Sequence, residues 1–549
     1  MTTDEKIGQL FVVSFYGDAA GETNPAQASS NRPLLGSNDI ADAIARYHLG
    51  GVIYFDNLGN VVSPAQLAKL SNSIQAMGAT QSPSVPLFVS TDQEGGSIVR
   101  LPSPATPFPG NMALGASDDP TLARSTGMAL GQEVRAVGIN QILAPVGDVN
   151  VNPANPIIGL RSFGADPTSV ASMTAAMVHG FQDDAGLGAT VKHFPGHGDT
   201  NVDSHTQLPI INHTAAQWVS TDKPPFSAAI AAGVDMVMVG HLAFPALDPT
   251  RTPASLSPTI VTTVLRGQMG FDGVVITDSL QMGALTNTYG DSRIPVMAIE
   301  AGDDMLLMPP SLPVAWNAVK AAVSSGEIPM SRLDESVRRI LTLKMNLGLF
   351  AAPPTSVTAA ATALGTKAHK SLEQRDAEAS VTLVANDGAV LPLNGASDGS
   401  YLVVGPTSAS VSVVLDAIAA RGWIVGGTVT GTSPTSAAID NALAHAVHYG
   451  TLIDLTLNAD TDAGQQTLVR ALARSGKRLI TVSIGRPYDQ GYYRAAVNIC
   501  LYSDSTASLD ALVRVIFGDI APAGHLPVAI PNGSSSNSTL YPLGFGLGY

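Results

Sequence analysis

A chain of 549 residues is longer than one hydrophobic core usually supports, so the sequence predicts at least two domains. Apolar residues make up 45% of the chain and charged residues 13%, a balance that favours a compact α/β protein over a disordered one. The formal net charge of −15, without a cluster of Lys and Arg, argues against a nucleic-acid partner, and the single Cys500 excludes both an intramolecular disulfide and a thiolate metal site.

The sequence carries no membrane or export signal. It has no stretch of about 18 apolar residues free of charge and proline. Its opening, MTTDEKIGQL, lacks the basic and apolar regions of a signal peptide. We therefore expect no membrane partner and a cytoplasmic location; secretion, with the leader missing from this sequence, is the alternative.

Residues 1–350 repeat one pattern: an apolar, β-branched run, a polar loop and a helix-sized segment. Near-continuous apolar strands separated by helical segments are typical of a parallel (β/α)8 barrel, the TIM-barrel fold. In that fold the C-terminal ends of the strands carry the functional side chains. The eight predicted strands are Phe11–Phe15, Gly51–Phe55, Leu87–Ser90, Gln141–Ala144, Thr190–His193, Met236–Val239, Val274–Thr277 and Met305–Met308.

Polar side chains stand at the ends of five of these predicted strands. Because parallel strands of a barrel end on the same face, the side chains are expected to converge on one pocket. They are Asp92, Gln93 and Glu94 in the first group, then Asp148, then Lys192 and His193, then His241, and finally Asp278.

The densest polar segment is KHFPGHGDTNVDSHTQLP, residues 192–209. Histidine ionises near neutral pH, and a carboxylate two residues away can orient its ring. Asp203 and His205 have this spacing, so we interpret them as a proton-transfer pair. Asp278 follows the apolar run GVVIT, a position suited to a covalent carboxylate nucleophile. A helix N-cap is the structural alternative for Asp278.

A segment rich in Ala, Pro and Thr, AAPPTSVTAAATALG, separates the barrel from a second α/β pattern. We place a linker at residues 351–367 and a second domain at residues 368–549. Its predicted strands include VTLVAND, YLVVG, LITVSIG and ICLYSD, between helix-sized segments. This pattern predicts an α/β/α sandwich around a doubly wound sheet.

The polar loop of residues 192–209 resembles the signature of glycoside hydrolase family three, in its β-N-acetylglucosaminidase branch. STDQEGGSIVRLP, APVGDVNVNP, RSFGADP, GHLAFPALD and ITDSLQMGAL follow in family order. SVTLVANDGAVLPL, SIGRPYD, VIFGDIAPAGHLPVAIP and the closing YPLGFGLGY resemble the second domain of the family. The resemblance covers nearly the whole chain.

This resemblance implies a retaining, exo-acting enzyme that removes terminal β-linked N-acetylglucosamine, with glucose left open as a second glycon. Asp278 is then the nucleophile, and His205 is the acid/base with Asp203 as its partner. No cofactor and no metal are implied. The expected partner is a small saccharide, from cell-wall muropeptides or from chitin. The implied sugar-binding residues are Asp92, Arg100, Arg161, Lys192 and His193.

Other members of the family take the acid from a glutamate of the second domain. No glutamate occurs after Glu378, so the loop in the barrel must supply the proton here. Three alternatives stay open. A neutral histidine does not repel an anion, so phosphate as the acceptor would make the enzyme a phosphorylase. A non-catalytic carbohydrate-binding protein is the second. The third is a metal-dependent barrel hydrolase with His193, His197, Asp199, Asp203 and His205 as ligands.

Overall fold

The structure, a computed structural model, describes residues 1–21, 24–394, 399–533 and 535–549. Its N-terminal part is the predicted (β/α)8 barrel. The strands are β1 Phe11–Val13, β2 Gly51–Ile53, β3 Phe88–Thr91, β4 Gln141–Ile142, β5 Gly188–Phe194, β6 Met236–Val239, β7 Val274–Thr277 and β8 Leu306–Leu307. They are parallel and pair in the order β7-β6-β5-β4-β3-β2-β1-β8. A parallel bridge between Ile276 and Met305 closes the ring.

All eight predicted strands have a counterpart, but several ladders are shorter than the apolar runs. The first run was expected to extend to Phe15, whereas the ladder ends at Val13. The side chain of Phe15 is fully buried, yet its carbonyl accepts a hydrogen bond from the Asn60 amide at 2.9 Å. An apolar run reports burial, and burial continues after strand pairing ends.

Helices fill the connections and cover the barrel. Several begin with an N-cap carboxylate or hydroxyl followed by proline, as at Asp119 and Asp166. Among the helices of the described residues, none has both the length and the apolar character needed to cross a bilayer. The α-helices up to the end of the barrel are Thr3–Gly8, Pro25–Leu35, Ile40–Tyr47, Pro64–Ala79, Asn111–Ser117, Pro120–Ala136, Pro167–His179, Ala215–Gln217, Lys223–Ala231, Gly283–Thr286, Arg293–Ala301, Leu312–Ser325 and Met330–Asn346; π-helical turns are Gly180–Asp184, Trp218–Asp222 and Thr259–Gln268, and 3-10 turns are Gly159–Arg161, Ala254–Leu256 and Leu349–Ala351.

The connection to the second domain is helical. Val357–Ala363, inside the segment expected to be a linker, packs against the barrel helix Pro64–Ala79. The next helix, Lys367–Ser380, contacts both domains. Its Asp376 accepts a buried hydrogen bond from Thr126 of the barrel at 2.7 Å.

The second domain is the predicted α/β/α sandwich. The strands are β9 Thr382–Asn386, β10 Ser400–Gly405, β11 Ile424–Val429, β12 Thr451–Thr456, β13 Arg478–Ser483 and β14 Val497–Cys500, with a hairpin β15 Ile530–Asn532 and β16 Ser535–Tyr541. The six strands β9 to β14 pair in the order β11-β10-β12-β13-β14-β9, with only β9 antiparallel among the described strands of this sheet. Side chains of β10 alternate between two separate cores, one on each face of the sheet. The remaining helices are Ser408–Ala419, Ser436–Ala446, Ala463–Arg474 and Thr506–Ile516, and the 3-10 turn is Pro487–Gly491.

Candidate active site

A pocket of about 370 Å³ opens at the C-terminal ends of the barrel strands. Seven of the eight predicted site residues line it, and the eighth, Asp203, bonds to one of the seven. The strand ends therefore converge as predicted. The polar lining is Asp92, Glu94, Arg100, Arg161, Lys192, His193, His197, Ser204, His205, Asp278, Ser279 and Gln281, and the apolar lining includes Ile53, Phe55, Met238 and Leu307.

Asp278 lies directly after β7, half-buried at the pocket wall. Its backbone N–H donates to the carbonyl of Val239 on β6 at 3.0 Å, so the barrel ladder fixes the position of its Cα. The next helix is Gly283–Thr286, and its N-cap is Met282. The alternative of a helix N-cap for Asp278 is therefore wrong, and its carboxylate is left for the pocket.

The surroundings of Asp278 keep its carboxyl group ionised. Burial favours the neutral form, but the nearby rings of His193 and His241 oppose this effect, and the N–H of Ser279 donates to Oδ1 at 2.7 Å. The positive charge of Lys192 acts in the same direction. Together these groups hold the pKa of Asp278 below its usual value, as a carboxylate nucleophile requires.

A network of four charges forms one side of the pocket. Lys192 Nζ lies 2.7 Å from both Asp92 Oδ1 and Glu94 Oε1. Arg161 donates two hydrogen bonds to the carboxylate of Glu94, at 2.9 and 2.8 Å. Burial opposes ionisation, but the paired charges outweigh it and lower the pKa of Glu94 while raising that of Lys192. The network holds two cations and two anions in a fixed geometry.

Glu94 was not among the predicted site residues, although its position after β3 was noted. Its side chain is 1% exposed, compared with 17% for Asp92. Glu94 therefore positions the two cations, while Asp92 is the carboxylate of the network that reaches the open pocket.

His193 is oriented by Asp148, a second residue that the site prediction did not include. Its Nδ1 lies 2.7 Å from Asp148 Oδ2, and the backbone N–H of His197 donates to the same carboxylate at 2.7 Å. Asp148 is fully buried, which raises its pKa, but the two histidines lower it overall. With Nδ1 engaged, Nε2 of His193 faces the pocket 3.4 Å from Arg161 Nη2.

Asp203 and His205 form the predicted pair on an open part of the loop. The Asp203 carboxylate accepts from the backbone N–H of His205 at 2.8 Å and contacts its Nδ1 at 2.9 Å. The ring of His205 is 61% exposed. Because Asp203 occupies Nδ1, Nε2 is the ring nitrogen left to exchange a proton with a ligand in the pocket.

The remaining predicted sugar-binding residue, Arg100, stacks its guanidinium over Phe55 at 5.1 Å from the ring centroid. Burial lowers the pKa of His197, deep in the pocket lining, to about 4, so this histidine is neutral at ordinary pH. Its Nε2 lies 3.0 Å from the hydroxyl of Ser204, the residue next to His205. The buried His197 therefore supports, from the interior of the barrel, the loop that carries Asp203 and His205.

The residues considered as metal ligands are engaged in contacts that do not converge on one point. His205 pairs with Asp203, His193 contacts Asp148, and Asp199 contacts His213 at 3.0 Å. Across the described ranges of the chain, no group of three or more His, Cys, Asp or Glu is arranged to hold a metal ion.

A larger groove of about 1260 Å³ continues from the pocket between the two domains. Arg161 and His205 border both spaces. The second domain contributes Arg486 and Tyr488. Arg486 is paired with Asp460 at 2.9 Å, and the hydroxyl of Tyr488 accepts a hydrogen bond from Asn150. The second domain thus shapes the approach to the pocket.

Family models match both parts of the chain. The glycosyl hydrolase family 3 N-terminal domain matches residues 2–343, and the family's C-terminal domain matches residues 381–549. The chain belongs to glycosyl hydrolase family 3. The family fold and the resemblance seen in the sequence are confirmed, and the chain is a glycoside hydrolase.

The curated relatives of this family 3 chain include β-hexosaminidase A of Pseudoalteromonas piscicida, 33% identical over 428 residues, which are 74% of this chain and 70% of that protein. A protein of Cellulomonas fimi named β-N-acetylglucosaminidase/β-glucosidase is 33% identical over 402 residues, 72% of this chain and 66% of its own length. The solved structure of a family 3 β-N-acetylglucosaminidase from Paenibacillus sp. str. FPU-7 superposes with a TM-score of 0.88 at 36% identity. That match covers 97% of this chain and 100% of the solved one.

Proposed function

We propose that this glycoside hydrolase is a retaining, exo-acting β-N-acetylglucosaminidase that forms a covalent glycosyl ester on Asp278. The observation that carries the proposal is the pairing, in one pocket, of a carboxylate kept ionised with an Asp–His proton-transfer pair. The names of the relatives and of the solved structure support N-acetylglucosamine as the glycon.

In the first step an oxygen of Asp278 attacks the anomeric carbon as the bond to the leaving oxygen breaks. His205 donates its Nε2 proton to that oxygen, so the aglycone departs as a neutral alcohol. Asp203 contacts Nδ1 and stabilises the imidazolium from which the proton comes. The nucleophile approaches the face opposite the leaving group, which inverts the anomeric centre once.

In the second step water attacks the anomeric carbon and breaks the ester to Asp278. His205, now neutral, accepts the proton of this water and returns to its starting state. The second inversion restores the β-configuration, so the product is β-N-acetylglucosamine and the overall reaction is retaining.

The charge network is proposed to bind the sugar. Lys192 and Arg161 are fixed by Glu94, so their remaining N–H groups are preorganised donors for sugar hydroxyls. Asp92 is the partly exposed acceptor beside them. We assign Arg100 and the Nε2 side of His193 to the same sugar because both line the pocket.

The aglycone is proposed to lie in the groove between the domains. The arginines that border the groove among the described residues, Arg161 and Arg486, are both held in ion pairs. Asp199 of the lining is also paired, with His213 at 3.0 Å, and the whole chain carries −15. A neutral, chitin-derived saccharide therefore fits the groove better than an anionic muropeptide.

The decisive test uses para-nitrophenyl N-acetyl-β-glucosaminide with wild type, Asp278→Ala and the control Asp272→Ala, whose side chain is exposed. We expect turnover by wild type and the control and a loss of at least about 10³-fold for Asp278→Ala. Equal turnover by all three proteins would refute the assignment of the nucleophile.

The acceptor is decided by repeating this reaction with inorganic phosphate. A hydrolase releases free N-acetylglucosamine at the same rate with and without phosphate. Release of the sugar 1-phosphate instead identifies a phosphorylase, which is the second candidate because a neutral His205 presents no negative charge to an incoming anion.

We also propose a cytoplasmic location, which cell fractionation tests.

A further inference from the structure

The acid/base loop, residues 195–208, is tied to a short segment that follows the nucleophile. We call that segment, residues 283–287, the docking ledge. The backbone N–H of Gly283 donates to the carbonyl of His205 at 2.9 Å, and the N–H of the following residue donates to the carbonyl of Ser204 at 3.2 Å. The proton donor is thus attached through its own backbone to the chain that carries the nucleophile.

These hydrogen bonds use donors that the ledge cannot satisfy by itself. The first N–H groups of a helix have no acceptor within the helix. In Gly283–Thr286 two of them find acceptors in the acid/base loop. A third bond comes from the side chain of Asn287, whose Nδ2 donates to the carbonyl of Thr206 at 2.7 Å. Three consecutive loop carbonyls are therefore held by one short segment.

Gly283 allows this contact because it has no side chain. A Cβ at this position would lie 2.8 Å from the carbonyl oxygen of His205 and 2.7 Å from that of Thr206. Both distances are shorter than nonbonded carbon–oxygen contacts allow, and both oxygens belong to the backbone. Any larger residue must push the loop away from the ledge.

The ledge is also close to the pocket along the chain. Only residues 279–282 separate it from Asp278, and three of them, Ser279, Gln281 and Met282, line the pocket wall. From the barrel side, the Ser204 hydroxyl contacts the buried His197. The loop is therefore held between the barrel interior and the ledge just before His205.

We propose that Gly283 and Asn287 are positioning residues that fix His205 relative to Asp278. This inference rests on the proposed function, in which His205 is the acid/base. Loss of the ledge contacts moves the proton donor and leaves the nucleophile and the sugar-binding network in place. Proton donation to the leaving oxygen should then fail selectively.

The leaving group separates this effect from general damage. An unsubstituted phenol leaves poorly and needs the proton of His205, whereas a dinitrophenol leaves as a stable anion without it. The constant kcat/KM reports only the steps through departure of the aglycone, so a slow second step does not disturb the comparison.

We would measure kcat/KM on phenyl and dinitrophenyl N-acetyl-β-glucosaminides for Gly283→Ala and Asn287→Ala. The reference is His205→Ala, and the matched control is Gly290→Ala, where an added Cβ meets nothing within 4 Å. We expect the ledge variants to lose on the order of 10–100-fold on the phenyl substrate and under about 3-fold on the dinitrophenyl one. Gly290→Ala should match wild type on both.

Equal losses on both substrates, or no loss on either, would overturn the ledge proposal. If Gly283→Ala does not fold, Asn287→Ala carries the test, because it deletes one bond without adding atoms. If His205→Ala shows no dependence on the leaving group, the acid/base assignment itself is wrong and the ledge proposal falls with it. A leaving-group effect in His205→Ala but not in the ledge variants refutes the ledge alone.

Discussion

The substitution Lys192→Met tests two roles of the charge network of the pocket. One is to stabilise the barrel, and the other is to bind the sugar. Lys192 is 2% exposed and bridges Asp92 and Glu94. Methionine has a similar length but no charge, so the substitution removes the cation without opening a large cavity. It leaves the network with one cation and two anions.

The expected loss of stability follows from which anion is left alone. Removing one partner of a buried ion pair costs roughly 3–5 kcal/mol, mainly because the other charge stays buried and unpaired. Glu94 keeps both hydrogen bonds from Arg161. The unpaired anion is Asp92, which is partly exposed, so we expect about 3 kcal/mol, the lower end of the range.

The double variant Asp92→Asn/Lys192→Met restores the charge balance, since Arg161 and Glu94 remain as a neutral pair. We expect it to recover at least half of the lost stability. Urea unfolding followed by tryptophan fluorescence measures this, because Trp218 and Trp316 lie in the barrel. Activity should not recover. A lost hydrogen bond between a charged group and the sugar is worth about 1.5–3 kcal/mol, or about 10–160-fold in kcat/KM for each single variant.

Two results would refute this reasoning. A single variant as stable as wild type shows that the network adds nothing to the barrel. A double variant that regains activity together with stability shows that Lys192 and Asp92 act through the fold and do not touch the sugar.

Two predictions concern pH. The pKa of Asp278 is held below its usual value, so the acidic limb of kcat/KM should lie below about pH 4, and Lys192→Met should move it to higher pH because a positive charge near the carboxylate is lost. In the second domain, burial without hydrogen-bond partners raises the pKa of Asp454 to about 7. Between about pH 4 and 7 the native state keeps this proton while the unfolded chain releases it. The free energy of unfolding therefore falls by about 1.4 kcal/mol for each unit by which the pH rises across that range. Asp454→Asn should remove this contribution and stabilise the domain at pH 8, whereas the control Asp416→Asn, at an exposed position, should do neither. If the pH dependence of the unfolding free energy is unchanged in Asp454→Asn, Asp454 is not its source.

Strand periodicity was sufficient to predict the fold because parallel strands buried on both sides give apolar runs that do not depend on their partners. The edge strand β11 shows the limit. Its sequence IVGGTV has one buried residue, Thr428, and it was not among the strands named from the sequence; the fully buried β12 was not named either. An edge strand packs on fewer neighbours, so its sequence carries less of the burial signal.

The sequence by itself determined the barrel, the second sandwich domain and the strand ends at which Asp92, Lys192 and Asp278 meet. It also determined the short-range pair of Asp203 and His205, because side chains two residues apart in an extended loop point the same way and need no long-range contact to meet. Contacts between residues far apart in the chain depend on how the loops pack, and no local pattern encodes them. Only the tertiary structure showed that Glu94 holds both cations, that Asp148 orients His193, and that the acid/base loop docks on Gly283.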